Sequence, residues 1–267
     1  MSIPEIITES PKWTDIVSAL SSAIGVPLVL WTLYKLMKLY RRVYFHTTDI
    51  IEAKRIKKIF VVDDITILPN VPKVSNASPL VKDKDELKLI FISRIRDNKN
   101  LLLALESLAE CEGDIVFDIF GPVEDDAYWK KCQLAMEALP KNIVIKYKGV
   151  VAPTDISTVM RQYHALLLPT KTENFGHVIV EAMQSGLIPI ISDQTPWVNL
   201  EENSAGWSLD LTDINGFIKA MDTLYEMDSE KYTKLSGSTI KYITDKLNIE
   251  DLKLKYIDML EKVIKGK

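Results

Sequence analysis

The second half of the chain alternates short apolar runs with longer mixed stretches at nearly constant spacing. Residues 87–95, 115–120, 143–147, 165–168, 188–192 and 207–211 are each largely apolar and short enough for strands. The segments between most of them are long enough for helices. This alternation predicts an α/β fold built on a doubly wound, Rossmann-like parallel sheet, because parallel neighbours must be joined by crossovers. Ligands of such sheets bind outside the carboxyl ends of the strands, where strand order reverses. Upstream, residues 43–47 read as a strand, 49–60 as a helix capped by Thr48 or Asp49, and 65–68 as a second strand, which together make one βαβ unit.

The pattern breaks at Pro69-Asn-Val-Pro72, and residues 73–88 are polar and charged, a linker composition. The expected organisation is therefore an N-terminal portion over 1–72, a linker over 73–88 and a larger domain over 89–267. From Ala19 to Met37 the only charge is Lys35, a run near the ~20 residues that cross a bilayer. An acidic flank before it and Lys38, Arg41 and Arg42 after it would leave the rest of the chain cytoplasmic. Ser18, Ser21, Ser22, Gly25 and Pro27 dilute the run. Three readings stay open: a spanning helix over 19–37, an interfacial helix over 28–42 carrying Trp31, Tyr34 and Tyr40, or a helix packed within a globular domain. Residues 19–42 are accordingly the expected contact for a membrane surface or a partner chain. No basic region precedes the run as a cleavable signal would require.

Composition narrows the classes of function. With 267 residues and 47% apolar content the chain has material for a sizeable core. Its 33 basic and 37 acidic side chains are nearly balanced, with no basic and aromatic tract of the kind that grips nucleic acid, so nucleic acid is not an expected partner. The two cysteines, Cys111 and Cys132, lack metal-ligand spacing and fit a reducing cytoplasm, packed in helices as small hydrophobes. Asp83-Lys-Asp85 is the only Asp-x-Asp, and it lies in the charged linker with nothing to position it as a metal site. His46, on a strand, reads as a core or hydrogen-bonded histidine.

The chemistry concentrates in Glu173-Asn-Phe-Gly-His-Val-Ile-Val-Glu181, two carboxylates separated by seven residues. The apolar strand before it would deliver its end onto a helix running from Asn174 through Met183. Unpaired N–H groups between Asn174 and His177, backed by the helix dipole, suit a diphosphate. Asn174 and Glu181 would share one helix face, with Glu173 just outside the first turn. Glu181 suits a ribose diol and Glu173 the hydroxyls of a sugar ring; a capping carboxylate plus a solvated glutamate is the plainer alternative. His177 is either a phosphate or sugar donor or a surface residue. At the end of the first strand of the larger domain, Arg94 and Lys99 suit a diphosphate as a planar fork and a movable point charge, with Arg96 a nearby extra. Gly149 and Val150 end the third strand, where a glycine lets a ligand approach the backbone, while Gly121-Pro122 shapes a turn and Asp125 and Asp126 cap the next helix.

The run from Pro169 to Gly186 and the segment Ile191-Ser-Asp-Gln-Thr-Pro-Trp197 resemble the family 4 glycosyltransferases of the GT-B fold. Upstream the resemblance continues through Phe91-Ile-Ser-Arg-Ile95, Lys99-Asn100, Gly121-Pro122, Tyr128-Trp129, Leu139-Pro-Lys-Asn142 and Lys148-Gly-Val150, in the family's order, over roughly 44–211. It implies a retaining, hexosyltransferase-type enzyme that moves a sugar from a UDP- or GDP-sugar donor to a glycan or lipid-linked acceptor, as in polysaccharide biosynthesis. By the same resemblance Arg94, Lys99 and Glu173 are catalytic. Gly149, Val150, Asn174, Phe175, Gly176, His177 and Glu181 bind the donor, with no cofactor and no metal. The enzyme would be cytoplasmic or peripheral on the inner face of the plasma membrane. One departure is large: 43–72 resemble only the last βαβ of the family's acceptor-side domain, so that domain reads as truncated. The final helix, 249–264, resembles the segment that returns to it. A noncatalytic or partner-dependent sugar-nucleotide-binding subunit is the alternative, and a GT-B sugar-nucleotide epimerase a more distant one.

Overall fold

The computed structural model describes residues 43–48, 50–60, 62, 65–71 and 77–265. The apolar run over 19–37, the interfacial segment over 28–42 and residues 73–76 of the linker lie outside these residues. Two compact units are distinguished, one of Met1–Pro69 with Met259–Lys267 and one of Asn70–Asp258.

In the first unit, β1 (Phe45–Thr47) pairs in parallel with β2 (Ile65–Ile67) across α1 (Ile50–Ile59), with Phe45 opposite Ile65. The Glu52 carboxylate accepts hydrogen bonds from the backbone N–H of Thr48 at 2.9 Å and from its hydroxyl at 3.2 Å, which ties the entry to α1. The ring of His46 is hydrogen-bonded to the Leu68 carbonyl at 3.0 Å, but the residue is exposed, so it is a hydrogen-bonded histidine and not a core one.

The second unit contains a six-stranded sheet of β3 (Leu87–Ile92), β4 (Ile115–Phe120), β5 (Ile143–Gly149), β6 (Ala165–Leu168), β7 (Ile188–Ser192) and β8 (Trp207–Leu209). The order is β5-β4-β3-β6-β7-β8 and all neighbours are parallel. Strands β6 and β7 are buried at every position, because a central parallel strand is covered on both faces; each fully buried Leu or Ile contributes roughly 1.5–3 kcal/mol. Edge strand β5 instead exposes Val144, Lys146, Tyr147 and Lys148, and the lysines protect its free edge from further pairing. The first strand stops at Ile92, three residues short of the apolar run, and Ile95 makes only an isolated bridge to Val123.

Helices α2 (Leu101–Ala109), α3 (Asp126–Glu137) and α6 (Ile214–Glu226) form one packed group. Helices α4 (Ile156–Met160), α5 (His177–Gln184) and α7 (Ser229–Leu247) form another, and right-handed crossovers from a sheet whose order reverses put such groups on opposite faces. Aspartates start three of these helices: Asp125, Asp213 and Asp228 each accept the N–H three residues on, at 2.9, 3.0 and 2.8 Å. Asp126 is already helical, so Asp125 alone is the cap. Cys132 is buried within α3, whereas Cys111 is buried just beyond the end of α2. A final helix, α8, runs over Ile249–Lys265.

Although residues 77–86 have no regular element, they are held to the second unit. The Leu80 N–H donates to Ser236 Oγ at 2.9 Å. Lys82 is fully buried and its ammonium donates to the carbonyls of Asp83, Tyr225 and Met227 at 3.0–3.1 Å, which satisfies the last carbonyls of α6. The neighbouring Asp83 and Asp85 are exposed.

Candidate functional site

The strand order reverses between β3 and β6, so the loops leaving their carboxyl ends flank the natural ligand crevice of the sheet. The loop after β3 carries Arg94 and Lys99; the loop after β6 carries Glu173. Two hydrogen bonds to one backbone carbonyl brace the loops: the Lys171 N–H donates to the Asn98 carbonyl at 2.8 Å, and the Thr170 hydroxyl to the same oxygen at 3.1 Å. The Lys171 ammonium adds an exposed ion pair with Asp97 at 2.8 Å.

Within this frame the Lys99 ammonium meets Glu173 Oε2 at 2.6 Å, with side chains 10% and 19% exposed. Residues expected to serve different parts of a donor are thus in contact with each other. Arg94 does not join the pair. Its guanidinium faces Glu124 at 3.4 Å, which Arg96 also approaches at 3.5 Å, and all three side chains are exposed. Glu124 is not predictable from sequence, because a single glutamate two residues past Gly121-Pro122 carries no signal of its own. Among the described residues, two buried side-chain oxygens lack hydrogen-bond partners, Asp118 Oδ1 and Asn98 Oδ1, the latter on the loop between Arg94 and Lys99.

Helix α5 begins at His177, not at Asn174. Gly176 precedes it at φ +74°, in left-handed geometry, and a Cβ there would lie 2.9 Å from Ile179 Cδ1 and 3.1 Å from Glu173 Cγ. This turn takes Asn174 and Phe175 out of the helix, so Asn174 does not share a helical face with Glu181. The N–H row is correspondingly shorter: Asn174 donates to its neighbour Glu173 Oε1 at 3.2 Å, and Ile179 and Val180 donate to the Gly176 carbonyl at 2.9 and 3.1 Å. The N–H groups of Gly176, His177 and Val178 make no hydrogen bond among the described residues. Glu181 is half-buried on α5, one turn past His177. The His177 ring is exposed, packs 4.7 Å from the Phe175 ring and shares a 3.0 Å contact with the Asn70 carboxamide.

The Phe175 ring is buried, set edge-on to Trp197 at a centroid distance of 5.8 Å. The Trp197 indole N–H donates to the Phe175 carbonyl at 2.6 Å. The sequence alone gives Trp197 no role, because the carbonyl it binds lies 22 residues upstream.

The ends of β3, β4 and β5 lie side by side. The Ser93 N–H donates to the Phe120 carbonyl at 3.0 Å and the Gly121 N–H to the Gly149 carbonyl at 2.8 Å. Gly121 does more than shape a turn, since a Cβ there would sit 1.8 Å from the Ser93 carbonyl oxygen. Gly149, at φ +74°, opens instead onto free space, with nothing within 4 Å of a Cβ, and Val150 beside it is 70% exposed. Among the described residues there is no cluster of three or more His, Cys, Asp or Glu that could hold a metal ion, and no helix long and apolar enough to cross a membrane.

Residues 75–242 match the family model of the glycosyl transferases group 1. The UDP-N-acetylglucosamine–peptide N-acetylglucosaminyltransferase GtfA subunit of Streptococcus agalactiae is 23% identical over 176 residues, 64% of this chain and 30% of that protein. The pneumococcal O-GlcNAc transferase GtfA, solved with UDP and GlcNAc, superposes with a TM-score of 0.64 at 19% identity, over 83% of this chain and 45% of that one. A glycosyltransferase from Rickettsia africae gives 0.68 at 13% identity, over 87% and 68%. The chain therefore spans less than half the length of either GtfA relative. These likenesses give the fold as GT-B type, and the family match over most of the second unit means that the chain belongs to the glycosyl transferases group 1 family.

Proposed function

We propose that the crevice between β3 and β6 binds a nucleoside-diphosphate sugar, and that the chain supplies the donor side of a retaining, metal-independent sugar transfer of the family 4 type. The observation that carries this is the contact of Lys99 with Glu173 where the strand order reverses. A cation for the diphosphate and an acceptor for sugar hydroxyls stand beside each other there, and the amides of Gly176, His177 and Val178 make no hydrogen bond among the described residues. On this reading Lys99, Arg94 and the N–H groups of Gly176 and His177 stabilise the charge that grows on the leaving diphosphate; such preorganised electrostatics supply a large share of the rate in group transfer. Glu173 then accepts from the sugar, Glu181 from the ribose, and the backbone at Gly149 and Val150 borders the base. UDP is the favoured nucleotide because the pneumococcal relative was solved with it.

Acceptor binding on a glycan or lipid-linked precursor is read as needing more than the donor unit. The streptococcal relative is itself named as a subunit and is more than three times as long as the matched segment. This favours a second reading in which the chain works with a partner, through residues 19–42 or at a membrane surface. Calorimetric titration of the chain with UDP, GDP and their sugars, with and without EDTA, tests the donor site. Binding of one nucleotide that is indifferent to EDTA supports it; absence of binding by all of them refutes it, and loss on chelation refutes metal independence. Multiple-turnover transfer to an acceptor by a verified monomer would overturn the partner-dependent reading.

A further inference from the structure

The loop after β7 holds the donor loop at two points, and the second of them fixes a peptide plane. Upstream, the Glu173 N–H donates to the Gln194 carbonyl at 3.1 Å. Downstream, the Trp197 indole N–H donates to the Phe175 carbonyl at 2.6 Å from a buried residue only 6% exposed. Trp197 is itself held, since its own backbone N–H donates to Thr195 Oγ1 at 3.1 Å and its ring stands edge-on to that of Phe175.

A trans peptide is planar, so the C=O of Phe175 and the N–H of Gly176 point in opposite directions. Because Trp197 captures the carbonyl, the Gly176 N–H faces away from the indole, and it has no partner among the described residues. The next plane is oriented differently. The Gly176 carbonyl accepts from Ile179 and Val180 in the first turn of α5, so the helix itself aims the His177 N–H. Of the two amides ahead of the helix, one is thus set by α5 and the other by Trp197. At φ +74° Gly176 takes left-handed geometry that suits a glycine, and the indole bond is a hydrogen bond that orients its preceding plane.

We propose that Trp197 is a positioning residue for the donor diphosphate, aiming the Gly176 N–H at it through the Phe175 carbonyl without touching the ligand. This rests on the donor-binding reading above. The test is Trp197→Phe in the full chain, which keeps an aromatic ring and removes the N–H, titrated with UDP by calorimetry and with uridine by ligand-observed NMR. UDP affinity is expected to fall about tenfold, the worth of one oriented hydrogen bond to a charged group, while uridine affinity stays within about twofold. Where Trp197→Phe unfolds the chain, the isosteric benzothienylalanine at position 197, a sulfur in place of the N–H, makes the same measurement. Unchanged UDP affinity, or equal loss for UDP and uridine, overturns the role of Trp197 and leaves the donor site standing. A wild-type chain that binds neither UDP nor GDP overturns the donor site and this inference with it.

Discussion

Glu173→Gln should tighten the binding of free UDP. In the unliganded chain the Lys99 ammonium is engaged by Glu173 Oε2 at 2.6 Å, and both side chains are mostly withdrawn from solvent. A diphosphate that recruits Lys99 must first detach it from that carboxylate. A charge-assisted hydrogen bond of this kind has a net worth of about 1.5–3 kcal/mol, and partial access to the crevice argues for the lower end. Replacing the carboxylate by an amide keeps the shape and removes the charge, so about 1.5 kcal/mol of competition disappears and UDP should bind roughly tenfold more tightly. The same change removes the charged acceptor for the sugar hydroxyls, so a UDP-sugar should lose its advantage over UDP in the variant. Isothermal titration with UDP and UDP-N-acetylglucosamine, on wild type and variant at one ionic strength, reads both effects, and a thermal melt of the unliganded variant checks the fold. If Glu173→Gln binds UDP no better than wild type, Lys99 does not have to leave Glu173 to meet the diphosphate, and the reasoning fails.

Glu181→Ala should weaken UDP and a UDP-sugar equally, by about 1–3 kcal/mol, because a ribose contact is common to both; calorimetry showing loss for the sugar nucleotide alone would refute the assignment. Lys82→Met should lower stability to urea by about 2–3 kcal/mol through the orphaned carbonyls of Asp83, Tyr225 and Met227, with UDP affinity unchanged. His164 is buried, its Nδ1 accepts the Lys88 N–H at 3.0 Å, and burial pulls its pKa down from 6.5 to about 4. A depressed pKa means the folded chain binds fewer protons than the unfolded one, so its contribution is whole above pH 6.5 and fades as pH falls toward 4. That loss should reach about 3 kcal/mol in urea titrations across this range, and His164→Asn, which retains an acceptor, should flatten the slope; an unchanged slope would show that other groups carry it.

Much of the architecture was legible because the physics behind it is local in sequence. Strands β6 and β7 span the residues of their apolar runs, since a strand buried on both faces is largely apolar. The Asp125 cap follows from a side chain that reaches an N–H three residues on. The strand ends and motif spacing also single out Lys99 and Glu173 as residue types on the loops after β3 and β6.

Other features depended on the tertiary structure because they join residues far apart in the chain. Nothing near Lys99 announces Glu173, 74 residues away, and only the strand order that sets β3 beside β6 brings them to 2.6 Å. The start of α5 moved from Asn174 to His177 because Gly176 takes a left-handed turn packed on Ile179 and Glu173, a choice that the motif's spacing leaves open. Lys82 sits in a charged stretch that reads as a solvated linker, yet its ammonium is buried by helix ends 143 and 145 residues downstream. Sequence by itself determined the alternation of strands and helices and which residue types stand near the strand ends. The fold decided which of those ends face each other, since an ion pair, a cap or an aimed amide depends on distances that only the packed chain sets.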